Sequence, residues 1–293
     1  ELESCTTYYV SVAIYGENGG EDSAVVRFRT ELSAEDWKGH WTFMPLNSVG
    51  GSSLYRKNIV LPDEPVEEAF AYCAGIGCHE LFVNGKKVDD RLFSPVNGDY
   101  EKRIYYTVYE LTDRLVAGDN VIGVELAPWW YGSKKLMFQL YVTMKNGETL
   151  ELHSSAGDGW WERGGAVKEC SVYDGDEFLP HWASADYRAG IESKWVLPIV
   201  SRGDSSILVP ERIDPIRVCG RLNPVASHEA NGGVIYDFGA NIAGRLSVTV
   251  CGERGAEITL VHGERLTADG DVNTLNLRSA KATDRYILKG EKD

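Results

Sequence analysis

Glu80-Leu81-Phe82-Val83-Asn84-Gly85-Lys86-Lys87-Val88 decides the fold class. The apolar run Leu81–Val83 breaks at Asn84-Gly85 and resumes as Lys86–Val88. Asn-Gly tolerates the positive φ angles of a type I′ turn, whose twist suits two antiparallel strands, so the stretch reads as a β-hairpin. The signal recurs at Asn146-Gly147, between Leu136–Met144 and Thr149–Leu152. Further out, Tyr8, Val10, Val12 and Ile14 alternate with mostly smaller or polar residues, and Leu246, Val248 and Val250 alternate with Ser247 and Thr249. That is strand period, and helical periodicity is nearly absent. The chain reads as all-β, an antiparallel sandwich architecture.

At 293 residues it is too long for one small domain and divides into three blocks. Residues 1–31 hold about three strands, Tyr8–Tyr15 and Val25–Thr30 being the clearest. That is roughly half an immunoglobulin-like sandwich, so the module reads as cut off at its start. Residues 32–205 carry enough strands for a jelly roll. Ser201–Pro210 reads as a linker, and Pro210, Pro215 and Pro224 punctuate the entry to the third block, 206–293.

The net charge of −14, with Lys and Arg scattered, excludes nucleic acid as a partner, because phosphate binding needs clustered cations. The same field repels polyanions and leaves neutral sugars unpenalised. No apolar run approaches the roughly 18 residues of a membrane span. Glu1–Val12 lacks the basic start and apolar core of a signal peptide. Cys5, Cys73, Cys78, Cys170, Cys219 and Cys251 form no C-x-x-C pair, so no zinc or other metal site is expected. All six read as reduced core thiols, which suits a cytoplasmic setting. Cys73 and Cys78 are placed on opposite faces of one strand.

The search for chemistry gives no catalytic residue. His79-Glu80 opens like a metalloprotease helix, but Val83 stands where the second histidine belongs. Gly75-Ile76-Gly77 lacks the third glycine of a dinucleotide fingerprint, Glu80 standing there, and no other cofactor motif occurs. Asp174, Asp176 and Glu177 cluster beside Tyr173, and a glycosidase needs two carboxyl groups flanking its scissile bond. Alternation instead puts neighbours on opposite faces, as a solvated acidic loop would. Pro128-Trp129-Trp130-Tyr131-Gly132 follows the strand Val121–Leu126 and brings large rings to the mouth of a sandwich. Sugar rings offer apolar C–H faces to flat aromatics, so Trp129, Trp130, Tyr131, Asp174 and Glu177 are the candidate carbohydrate contacts. The same rings equally suit packing between modules. Trp160 and Trp161 read as core.

Three stretches also resemble a known family. Glu80–Val88, Asp99-Tyr100, Tyr109–Asp113 and Gly118–Val124 resemble the galactose-binding-like jelly roll that precedes the catalytic domain in several glycoside hydrolases. Ile235-Tyr236-Asp237-Phe238-Gly239, Asn241, Ala243-Gly244, Gly263-Glu264-Arg265-Leu266, Asp269-Gly270 and Asn276–Gly290 follow in order. They resemble the concanavalin-like β-sandwich of bacterial α-L-rhamnosidases, glycoside hydrolase family 78. Leu2, Thr6 and Tyr8 resemble the fibronectin type III signature, with Ser4 in place of proline, which implies a tyrosine-corner role for Tyr8. Where the family often has Y-D-G-E-x-Y-D-A-R, this chain keeps Tyr173-Asp174-Gly175 and continues with Asp176, Phe178, Leu179, Pro180 and His181.

The resemblance implies a non-catalytic accessory region whose partner is the (α/α)₆ barrel of the same parent, where hydrolysis of terminal α-L-rhamnose proceeds with inversion. It implies no cofactor. The alternatives are a stand-alone carbohydrate-binding module and a purely structural spacer. Partial sandwiches expose apolar faces and strand edges, so self-association is expected.

Overall fold

The computed structural model describes residues 2–43, 51–130, 134–179, 195–202, 205, 207–230 and 232–290. Within them the regular structure is strand, apart from the single 3-10 turns Ala34–Asp36 and Leu275–Leu277. No helix among the described residues is long and apolar enough to cross a membrane. In chain order the strands are β1 (Thr7–Tyr15), β2 (Glu21–Arg29), β3 (Trp41–Phe43), β4 (Ser53–Leu61), β5 (Val66–Ile76), β6 (Cys78–Val83) and β7 (Lys86–Lys87). Then come β8 (Ile104–Glu110), β9 (Gly118–Ala127), β10 (Lys135–Met144), β11 (Thr149–His153), β12 (Trp160–Gly164), β13 (Val167–Ser171) and β14 (Gly175–Phe178). The last six are β15 (Ile199–Ser201), β16 (Leu208–Pro210), β17 (Ala226–Ala230), β18 (Gly233–Asp237), β19 (Glu257–Val261) and β20 (Thr283–Ile287).

Two sheets make the central sandwich. One has the order β15-β3-β10-β5-β8-β16, with β11 also paired to β10, and the other β12-β4-β9-β6-β7. Phe138, Leu140 and Val142 of β10 meet Tyr55 of β4, Leu81 of β6 and Ile122 and Val124 of β9 in the core between them. Trp160 lies edge-on to Phe138, with ring centroids 5.2 Å apart.

The larger sheet is buried on its other face as well. Phe70, Tyr72, Met137 and Tyr106 pack there beneath Leu32, Trp37 and Trp41. Ala69–Gly75 is therefore a continuous buried run with no polar alternation. Gln139 anchors the cover, its Oε1 accepting from the Lys38 and Gly39 amides (2.8 and 3.2 Å) and its Nε2 donating to the Asp36 carbonyl (2.8 Å). A buried amide so fully satisfied fixes the register of segment 36–39.

The turns show the local chemistry. Asn84 and Gly85 both take positive φ (51° and 77°), as a type I′ hairpin requires. At Asn146-Gly147 only Gly147 does (85°), and its amide donates to the Met144 carbonyl at 2.9 Å, giving a longer loop than the expected two-residue turn. Cys73 and Cys78 lie on different strands, not on two faces of one. Gly77 between them holds φ 126°, and a Cβ there would stand 2.2 Å from the Ala127 carbonyl oxygen. Cys73 is buried, whereas Cys219 and Cys251 are exposed rather than core thiols. Trp160 is buried, but Trp161, on the opposite face of β12, is exposed.

Among the described residues of the first block, 2–31, there are two strands rather than about three. Their ribbon docks on the sandwich through Arg27 and Arg29, which pair with Glu68 at 2.8 and 2.6 Å. The Arg29 guanidinium also lies 4.5 Å from the centre of the Phe70 ring. Tyr8 stacks on Phe28 (5.8 Å), and its hydroxyl accepts from the Glu3 amide at 2.8 Å.

Pairing crosses residue 205 in both directions. The ends of Ser201–Pro210, read as a linker, belong to the larger sheet, where Ser201 is opposite Trp41 and β16 runs parallel to β8. A third sheet has the order β13-β14-β20-β19, joining strands on both sides of that boundary through a parallel β14–β20 contact. The strand expected at Leu246–Val250 does not form. Among the described residues no neighbouring strand supplies its ladder, and Leu246 and Val248 are exposed.

Glu162 is the register partner of Tyr55, so its side chain points into the sandwich core. It is fully buried, and the Tyr55 and Ser53 hydroxyls face it without closing a well-formed hydrogen bond. Burial pushes its pKa up to about 7, against the pull of those hydroxyls and of the Lys134 ammonium. A carboxyl raised on folding contributes stability that is complete below its ordinary value and lost as pH rises through about 7. Glu162→Gln should leave unfolding free energy unchanged at about pH 4 and raise it by about 2–3 kcal/mol at about pH 8.5. Urea denaturation at the two pH values checks this; an equal effect at both would contradict it.

Candidate functional site

The loop after β9 and the turn between β13 and β14 bring most of the candidate residues to one end of the sandwich. The two tryptophans of that loop have different partners. Trp129 turns to the 93–95 segment, where its Nε1 donates to the Pro95 carbonyl at 3.0 Å and its ring lies 6.1 Å from Phe93. Trp130 turns the other way and meets Tyr173 at 4.6 Å between centroids, the rings 83° apart. Both rings stay open to solvent, at 51% and 54% exposure. Tyr131 lies outside the described residues, as do Gly132, Pro180 and His181.

The turn carrying Tyr173 is strapped to β20. The Ala282 amide donates to the Tyr173 carbonyl (3.0 Å) and the Thr283 amide to the Asp174 carbonyl (2.8 Å). Ser171 Oγ accepts from the Tyr173 and Asp174 amides at 3.3 and 3.0 Å. Gly175 permits this approach: it takes φ 98°, and a Cβ would stand 2.2 Å from the Thr283 carbonyl oxygen.

The acidic side chains do not converge as a glycosidase pair. Asp174 Oδ1 accepts from the Lys281 amide (3.2 Å), and Oδ2 lies 3.6 Å from Lys281 Nζ. Glu177 is held between Lys168 Nζ (2.8 Å) and Arg285 Nη1 (3.6 Å), and Arg285 also forks onto Glu257. Burial raises the Asp176 carboxyl above its ordinary range, and its backbone amide donates to Asp284 Oδ1 (2.9 Å). Burial pushes Asp284 up as well, but the hydrogen bonds from His262 (3.0 Å) and the Asp176 amide outweigh it and leave its pKa lowered. Asp174, Glu177 and Asp284 thus tie the β13–β14 hairpin to β20 and its approach, while the Asp176 carboxyl bonds Cys170 across the hairpin. Inverting hydrolysis instead needs an acid and a base facing a common gap of several ångströms.

His79 is a core side chain on β6. Burial, with the Arg91 guanidinium adding to it, pushes its pKa down to about 3, so the ring is neutral against Tyr109. No group of three or more His, Cys, Asp or Glu residues among the described residues is placed to hold a metal ion.

Tyr173 and Lys281 are the residues that sequence reasoning passed over as site members. They lie 108 positions apart, and only the parallel β14–β20 pairing brings them together.

This β-sheet framework matches known proteins along most of its length. The description "Alpha-L-rhamnosidase N-terminal domain" fits residues 64–220, more than half of the chain. The chain belongs to the alpha-L-rhamnosidase N-terminal domain family. Residues 227–293 match the "Bacterial alpha-L-rhamnosidase concanavalin-like domain". An alpha-L-rhamnosidase of Streptomyces avermitilis is 29% identical over 253 residues, 80% of this chain and 24% of that relative. One from Formosa agariphila is 28% identical over 291 residues, 89% of this chain and 31% of that relative. Among solved structures, an alpha-L-rhamnosidase from Dictyoglumus thermophilum superposes with a TM-score of 0.88 at 28% identity, covering 100% of this chain and 36% of that one. The chain therefore spans about a quarter to a third of the length of the curated rhamnosidases it matches.

Proposed function

We propose that this chain is the non-catalytic accessory β-region of a rhamnosidase-like glycoside hydrolase. The parent protein would remove terminal α-L-rhamnose from glycosides by inversion, in a catalytic (α/α)₆ barrel with which these sheets pack. The observation that carries this reading is the consecutive match of two rhamnosidase β-domains over residues 64–220 and 227–293. The carboxylates support it, since Asp174, Glu177 and Asp284 are all engaged with cationic or donor groups of this chain. The net charge of −14 suits a neutral glycoside better than an anionic one.

Incubation of the purified chain with p-nitrophenyl α-L-rhamnoside should release no nitrophenol above the buffer rate. Turnover at an enzymatic rate would overturn the accessory reading.

Self-association belongs to the same reading. Val10, Val12, Ile14 and Val26 share one face of the β1–β2 ribbon and are 44%, 49%, 67% and 56% exposed. Such a stripe beside unpaired strand edges favours contact between copies. Sedimentation velocity should show the weight-average coefficient rising with concentration, and a constant monomer value over a hundredfold range would contradict this.

A further inference from the structure

We propose that Trp130 and Tyr173, flanked by Asp174 and Lys281, form a subsite that stacks a single neutral sugar ring. The proposal rests on the reading of this chain as part of a glycoside-handling protein and adds to it a ligand-binding role for the β-region itself. Its geometry is an open corner. The two rings stand 83° apart with centroids at 4.6 Å, and each leaves about half of its surface to solvent (51% and 54%). The rings come from different loops, and the Tyr173 turn is fixed by the Ala282 and Thr283 amides and by Gly175. The Tyr173 side of the corner is therefore held by backbone bonds, which lowers the ordering cost on that side when a ligand arrives.

The polar groups beside it are charged, opposite in sign and open to water. The side chains of Asp174 and Lys281 are 45% and 73% exposed, with 3.6 Å between carboxylate oxygen and ammonium. A pyranose presents an apolar C–H face bounded by hydroxyls that both donate and accept. Stacking on an aromatic face, with a carboxylate and an ammonium at the rim, satisfies both parts at once. A 6-deoxy sugar such as rhamnose adds a methyl group to its apolar surface. An anionic sugar would meet Asp174 and the overall negative field.

The other candidate contacts fit the corner less well. Trp129 commits its Nε1 to Pro95 and packs on Phe93, and the Glu177 side chain is 13% exposed between two cations. Both are committed to partners elsewhere, while Trp130 and Tyr173 face the solvent.

The test is titration of the whole chain with methyl α-L-rhamnoside, read by tryptophan fluorescence and by saturation-transfer NMR. One shallow site predicts saturable binding with a Kd of roughly millimolar order. Trp130→Ala and Tyr173→Ala should each weaken binding at least about tenfold. Trp130→Phe, which keeps a ring, should stay within about threefold of the parent, and Trp161→Phe should change nothing. Sorbitol, a polyol without a ring face, should give no saturable signal. Absence of saturation with the rhamnoside, or binding indifferent to both alanine variants, overturns the subsite. Neither result touches the accessory reading, which stands or falls on hydrolysis.

Discussion

Strand pairs β5–β10 and β5–β8 put one sheet at the centre of the molecule with both of its faces out of water. Ala71, Cys73, Phe138 and Leu140 point into the core shared with the second sheet, and Phe70, Tyr72 and Met137 point into the other. Burying apolar side chains on both faces is the dominant favourable term available to these strands, at about 25 cal/mol per Å² removed from water. The rest depends on it. The ribbon docks through Arg27 and Arg29 onto this sheet, the 36–39 cover is held by Gln139 of β10, and β15 and β16 extend its two edges.

The third sheet attaches differently. β13 leaves the sandwich directly after β12, beside the Ser52 hydroxyl and the Glu125 carboxylate, which are 2.8 Å apart. It then pairs with β14, and β14 with β20, through backbone bonds and the Lys168–Glu177–Arg285–Glu257 ion-pair chain. Ion pairs this close to solvent contribute little individually, so the parallel ladder and Gly175 do more to set the position of the Tyr173 turn. That turn carries the aromatic corner. Position at the end of a strand pairing, not burial, defines the candidate site.

Much of this was legible in the sequence, and the failures have physical causes. The Asn84-Gly85 hairpin, the alternation of β1 and the strand Val121–Leu126 are local signals, and strands form at each. Leu246–Val250 has the same alternation but no neighbour among the described residues, because a strand exists only as part of a ladder. Ser201–Pro210 has a polar middle, Arg202–Ser206, and so looks like a linker, yet its ends complete two edges of the central sheet. The site was half legible: an aromatic cluster after β9 and an acidic cluster after β13 stand out in the sequence. Their association does not, since Trp130 meets Tyr173 across 43 residues and Asp174 meets Lys281 across 107, through pairing that no local pattern announces. The third sheet was split between two blocks for the same reason.

Native-state hydrogen exchange tests the central dependence most directly. If the doubly buried sheet organises the molecule, the amides of β5 and β10 exchange slowest, through global unfolding alone. Those of β13, β14 and β20 should then exchange by smaller openings that leave β5 and β10 protected. Equal or greater protection in β13, β14 and β20 than in β5 and β10 would contradict this account.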